Sequence, residues 1–323
     1  MPDTPASQAV YPQQKSQKAG VGLPIARVVT ILSLATACLV DAAVGPYAGK
    51  QTGEPALLRT LLERFGSGDL ALADRYYCSF MLLALLLAQD THSCVRKHPR
   101  RHSDFRRGRR LGKYDHIIVW RRPARPEWMD EATYQKIPET LELREIHYHV
   151  VEPGRRTRSL DIITTLTDAA KYPKEDIAQL YGFRWNAELD IRSIKSALHL
   201  DHVRCKSPEM VRREFWTILL GYNLIRTTAA AAALLHGKQP RQISFTATSQ
   251  YVLAGWSILS NGRIAEEARL PYCLAMLSLI AECEVANRPG RLEPRVIKRR
   301  KHRYPLMQKP RAKLRAELRK HCT

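Results

Sequence analysis

Four residues in the middle of the chain have the side chains and the spacing to manage phosphate chemistry. They are Tyr181, Arg184, Glu188 and Lys195, in the pattern Y-x2-R-x3-E-x6-K. At about 100° per residue they fall at roughly 0, 300, 340 and 320° on a helix, one narrow stripe. A carboxylate there can hold a hard metal ion, and two cations with a phenol can hold a phosphate. On the same wheel Phe183, Ala187, Ile191 and Ile194 fall at roughly 200 to 280°, an apolar face able to dock on a core. The stretch 181–195, YGFRWNAELDIRSIK, is therefore expected as a helix at the edge of a core with its polar stripe open. The competing account is an amphipathic helix with a solvated charged face. It suits a lone E-x6-K better than four matched residues.

A second acid stands where a strand should end. Residues 69–73, DLALA, read as a short buried strand running into Asp74, and 80–88 as the helix that follows. A carboxylate at the carboxyl end of a core strand is where sites open in α/β sheets; a turn or capping role for Asp74 is the alternative.

Other elements must position these two places. Residues 1–24 carry Pro2, Pro5, Pro12 and Pro24 and read as an extended opening segment. Residues 25–34 and 38–44 are β-branched-rich and predict two adjacent, mostly buried strands. A helix is expected over 52–65, stopped by Gly66-Ser67-Gly68, and a further strand over 92–97. Strands are also expected at 117–120, 145–151 and 159–167. Tyr172-Pro173-Lys174-Glu175-Asp176 starts the central helix, predicted to run to about Leu198. Ser207-Pro208-Glu209 starts another long helix reaching Leu235, with packed helices over 242–259 and 266–286. The expected layout is a first core segment at 1–97, a basic β-rich insertion at 98–157, the rest of the core with C-terminal helices at 158–287, and a basic tail at 288–323.

Charge narrows the partner. Fifty-two Lys and Arg against 31 Asp and Glu give a net charge of +21 and a pI near 9.9. Such an excess calls for a polyanion, with nucleic acid first. It concentrates at 96–110, with seven Arg, one Lys and Asp104 as the only acid, near Trp120 and Trp128. Arginines interleaved with aromatics suit DNA contact. The apolar run at 28–40 is too short to span a bilayer, and the stretch 1–17 lacks the apolar core of a signal peptide. Seven scattered Cys read as reduced cytoplasmic thiols, so a cytoplasmic protein without a membrane is expected.

The Y-R-E-K pattern, together with GDLALADRYYCS around Asp74, resembles the DDE transposases of the bacterial insertion-sequence-four family. The resemblance covers about residues 1–315. It implies a ribonuclease H-like α/β core with a mainly β insertion between the second and third acids and a helical C-terminal region. It implies metal-dependent cleavage and strand transfer at insertion-sequence ends, with two Mg²⁺ or Mn²⁺ ions. It makes Asp74 and Glu188 catalytic metal ligands. Tyr181, Arg184 and Lys195, with Trp185 beside them, become contacts to DNA at transposon-end inverted repeats, and target DNA is the second partner. Family members can act as dimers on DNA. The resemblance further implies a bacterial, nucleoid-associated protein.

One motif of that family is not found. Its first acid lies in D-G-[ST], which occurs nowhere in this sequence. The expectation drawn is an N-terminal truncation, with Met1 an internal methionine of a longer ancestor and activity impaired; Asp3 and Asp41 are the substitutes to consider. A non-enzymatic DNA-binding remnant or inhibitor of transposition is the alternative. A metal-dependent nuclease or a basic RNA-binding protein would explain less, the latter predicting neither Asp74 nor the stripe.

Overall fold

The computed structural model describes residues 1–150, 159–262, 264–286 and 307–321. The chain divides into two compact units. One, the sheet unit, comprises 30–43 and 54–191; the other, the helical unit, comprises 1–29, 44–53 and 192–323.

The sheet unit is built on one mixed six-stranded sheet. Its strands are β3 (Leu70–Ala73), β4 (His92–Arg96), β5 (Arg109–Gly112), β6 (Asp115–Arg121), β7 (Thr140–His149) and β8 (Ser159–Thr164), in the order β3-β4-β8-β7-β6-β5. Only β3 and β4 pair in parallel, with Ala73 opposite Val95; the other pairings are antiparallel. The parallel pair needs a crossover, and α3 (Phe80–Leu87) provides it. Its sequence FMLLALLL is apolar all round, and six of its eight residues are buried. Ser79 caps it by accepting from the Leu82 amide.

Side chains alternate across the sheet as the strand period demands. Leu141 and Leu143 of β7 join Val95, Ile163, Phe80 and Leu83 on one face. Ile146 of the same strand joins Cys94, Ile162, Ile177 and Tyr181 on the other, where α5 (Lys174–Gly182) packs. The basic segment at 98–157 thus supplies β5, β6, α4 (Glu131–Lys136) and β7, hydrogen-bonded into the same sheet as β4 and β8.

Several expectations are corrected. Residues 5–10 form α1 (Pro5–Val10), capped by the Thr4 hydroxyl, inside the segment expected to be extended. The two early strands, β1 (Ala26–Leu32) and β2 (Leu39–Pro46), form a separate two-stranded sheet and are half-buried rather than mostly buried. The helix expected over 52–65 is α2 (Glu54–Arg59), followed by a 3₁₀ turn at Leu62–Arg64.

The helical unit centres on α7 (Pro208–Leu235), N-capped by Ser207 with Pro208 in its first turn. With α8 (Phe245–Ser260) and α9 (Glu266–Glu282), its alanines 229, 232 and 233 form a core with Ile243 and Ile280. By length and composition α7 could cross a bilayer, a feature the search for apolar runs missed. Tyr222, Ala232 and Ala233 have no exposed surface, whereas Leu220, Leu224 and Leu234 on the same helix are exposed. The last described element is α10 (Arg311–His321). The expected disordered arm, residues 288 onward, falls largely on residues outside those described.

Candidate active site

The predicted central helix is not one helix. It ends at Phe183, whose amide bonds to Leu180 in a tightened turn, and resumes as α6 (Arg184–Arg192). Residues 193–197 then form a π-helical turn that contains Lys195. Each departure shifts the angular phase, so a wheel at constant 100° fails at both ends. Tyr181, placed on the polar stripe by the wheel, is buried at 4%, and Phe183, placed on the apolar face, is 49% exposed. Arg184 and Glu188, which share the stripe, are bonded to each other, with N–O 2.7 Å.

What the break achieves is local. Tyr181 turns into the sheet, and its hydroxyl donates to the Ala73 carbonyl at 3.3 Å. Ala73 is the last residue of β3, immediately before Asp74. The phenol therefore ties α5 to the strand end that carries the second acid. Burial pushes the Tyr181 phenol up to about 12, against the opposing pull of Arg184. It is a neutral donor at any physiological pH.

Arg184 gathers the charges. Burial would lower its pKa, yet the Glu188 hydrogen bond, with Tyr181, Glu188 and Asp74 as neighbouring charges, raises it above the usual value. Its guanidinium also lies 5.8 Å from the centre of the Tyr181 ring. Tyr181, Arg184, Glu188 and Asp74 thus share one electrostatic neighbourhood at the carboxyl ends of the parallel strands. Asp74 also fills the alternative role: its side chain accepts from the Arg75 amide and caps a short 3₁₀ turn at Arg75–Tyr77. Its side chain is still 48% exposed and that of Glu188 is 41% exposed, so both can meet a ligand.

Trp185 is half-exposed on α6. Lys195 is exposed and belongs to the helical unit. Asp41 is engaged by Arg64 at 2.6 Å; Asp3, in the helical unit, by Gln8 at 2.8 Å and Arg311 at 3.4 Å. Among the described residues no group of three or more His, Cys, Asp or Glu is arranged to hold a metal. One residue was missed: Arg96, last in β4, is among the charges acting on Tyr181. The available signal was its position at the end of the strand next to the one carrying Asp74.

Comparison with known proteins gives this constellation its family. The model of the family described as "Transposase DDE domain" matches residues 4–224. The chain belongs to the DDE-domain transposases, in the insertion-sequence-four family. It is 28% identical over 310 residues to the transposase InsG of insertion sequence element IS4 from Escherichia coli strain K12, a match covering 94% of this chain. The chain spans 66% of that relative's length. It is 38% identical over 64 residues to the transposase of insertion sequence element IS421 from Escherichia coli, covering 20% of this chain and 17% of the relative.

Proposed function

We propose that this chain carries the strand-cleavage and strand-transfer chemistry of an insertion-sequence transposase, with Asp74 and Glu188 as its metal-holding carboxylates. The carrying observation is that Tyr181 donates to the carbonyl of Ala73, the residue before Asp74, while Arg184, three residues after Tyr181, bonds Glu188 at 2.7 Å. We read the sheet unit as a ribonuclease H-like core with 98–157 as its inserted segment.

The donor set suits a hard divalent cation such as Mg²⁺ or Mn²⁺, which takes one or two carboxylates and fills its remaining positions with water and substrate phosphate. Held by Asp74 and Glu188, such ions, two in this chemistry, would activate the attacking oxygen and stabilise the leaving one. The protein's own part is positioning. Tyr181 fixes the strand end. Arg184, now on Glu188, is placed to move onto a phosphate of the bound DNA end, leaving the Glu188 carboxylate for the cation. Lys195 and Trp185 add a phosphate contact and a base or sugar contact. The substrates are the element's inverted-repeat ends and target DNA, in the bacterial cytoplasm, with a dimer assembling on DNA.

The test is nicking of a duplex bearing the element's ends in Mg²⁺ or Mn²⁺. Glu188→Gln and Asp74→Asn are each expected to lower the rate by several orders of magnitude, while duplex binding stays within about twofold. Nicking retained in either variant would remove that residue from the reading. Independently of activity, Mn²⁺ should raise the wild-type melting temperature, and less so in Glu188→Gln.

A second reading rests on the count of ligands. Asp74 and Glu188 are the two acids this reading assigns, and among the described residues no group of three or more His, Cys, Asp or Glu is arranged to hold a metal; Asp41 is taken up by Arg64, and Asp3 by Gln8 and Arg311. A chain that binds the ends and nicks weakly or not at all would act as a DNA-binding remnant or inhibitor of transposition. End binding without nicking selects it.

A further inference from the structure

The basic segment at 97–110 is not a loose loop. Glu145 of β7, buried beneath it, accepts from Lys97 at 2.7 Å, from the Ser103 hydroxyl at 2.5 Å and from His116 Nε2 at 3.1 Å. His116 Nδ1 lies 2.6 Å from the Arg107 carbonyl. Both ring nitrogens face oxygen acceptors. The segment is thus nailed to the sheet at Lys97, Ser103 and Arg107. Arg100, Arg101, Arg106, Arg107, Arg109 and Arg110 remain exposed on a fixed backbone.

Beside this basic rail, four aromatic rings run in contact. Phe105 lies 5.7 Å from Tyr114, Tyr114 5.6 Å from His147, and His147 4.7 Å from His149. A row of rings this close would be buried if it were core. Instead Tyr114 is 42% exposed and His149 is exposed. Tyr114 sits at the tip of the two-residue β5–β6 turn with φ +58°, a left-handed conformation that favours Gly or Asn there. A bulky aromatic holding that position costs backbone strain and keeps a ring in solvent. The Lys113 and Lys174 ammonium groups lie 5.8 and 5.9 Å from its centre, and Lys174 donates to the Lys113 carbonyl.

Exposed rings interleaved with cations, next to a rail of arginines, fit a strand whose bases are unpaired. Phosphates follow the rail, and bases, whose faces are hidden in a duplex, stack on the rings. We propose that Tyr114 and His149, with Phe105 and His147 behind them, form a stacking platform for unpaired DNA bases. The proposal rests on the reading that this protein handles DNA, but not on cleavage.

The experiment is fluorescence anisotropy of the full chain in EDTA, so that no cleavage intervenes, with a 12-nucleotide single strand and the matching duplex at equal salt. The double variant Tyr114→Ala with His149→Ala is expected to lose about tenfold in single-strand affinity. Its duplex affinity should stay within about twofold, and its salt dependence should be unchanged, since no phosphate contact is removed. Tyr114→Phe keeps the ring and should bind the single strand as wild type does. It also guards against misfolding in the alanine variant, because a strand-specific loss cannot come from a collapsed sheet. Equal losses for both DNAs, or no loss for either, would overturn the platform in favour of a purely phosphate-directed surface. Binding of neither DNA by the wild-type chain would overturn the proposal and the DNA reading together.

Discussion

Glu145 and Glu188 each bond a cation at 2.7 Å, yet the first side chain is 4% exposed and the second 41%. Around Glu145 the bonds are closed on every side by Lys97, Ser103 and His116. One strand position away, Arg144 does the same from the opposite face. Its Nε donates to one oxygen of buried Asp115 at 2.8 Å, its Nη2 to the other, and its Nη1 to the Tyr172 carbonyl at 2.6 Å. Glu188 instead pairs with Arg184, four residues before it on the same helix, and opens to solvent. A buried, fully bonded carboxylate has nothing left to offer a ligand, and removing a partner strands a charge. A half-open helical pair contributes a few tenths of a kcal/mol and is free to exchange partners. The same residue type thus marks architecture in one place and, in the function proposed, chemistry in the other.

The comparison breaks most visibly at the buried pairs. Glu145→Ala leaves Lys97 and His116 buried without their acceptor, and Arg144→Ala leaves Asp115 so. Each is expected to cost about 3–5 kcal/mol by denaturant titration. A loss under about 1 kcal/mol in either would mean that water reaches these charges and that the buried network is not what fixes the sheet.

Those networks were beyond the reach of the sequence, and the reason is physical. Glu145, His116 and Lys97 are 19 to 48 positions apart, and only the strand register brings them together. The alternation at 145–151 predicted a strand but gave no sign of its partners. Local signals did better. Ser207-Pro208 and the apolar run at 80–88 are read within one or two turns, and α3 and α7 begin where those signals stand. The stripe on 181–195 is intermediate. Arg184, Glu188 and Asp74 do share a neighbourhood, but Tyr181 does not lie on an open face. A break at Phe183 and a π-helical turn at 193–197 are set by packing rather than by residue types. Charge was legible as an amount and not as a geometry: the arginines at 100–110 were visible, their anchor was not.

Effects of middle size fall on the elements that hold the site. Ser79→Ala removes the cap of the helix after Asp74 and should cost about 1 kcal/mol. Tyr181 gives a pH test with a definite sign. Its folded phenol titrates at about 12, above the ordinary 10.0, so folding favours the protonated form. That contribution is complete below pH about 10 and is lost as pH rises from about 10 to about 12. Tyr181→Phe, which cannot ionise, should lose less stability than wild type across that window. Parallel pH curves for the two would mean that the ring is not held neutral against Ala73.

The smallest effect on stability is expected where the effect on function is largest. Glu188→Gln keeps the length of the side chain and an oxygen for Arg184, and gives up only a half-exposed ion pair four residues apart. The expected change in unfolding free energy is below about 0.5 kcal/mol. Asp74→Asn should be equally quiet, because an amide oxygen still accepts from the Arg75 amide at the cap. If either variant instead unfolds the protein by several kcal/mol, that acid belongs with Glu145, as architecture, and its loss of nicking would say nothing about metal binding. If both fold normally and lose metal-dependent nicking, the contrast sharpens. The carboxylates that contribute least to the fold are then the ones exposed, half-paired and free to take a new partner.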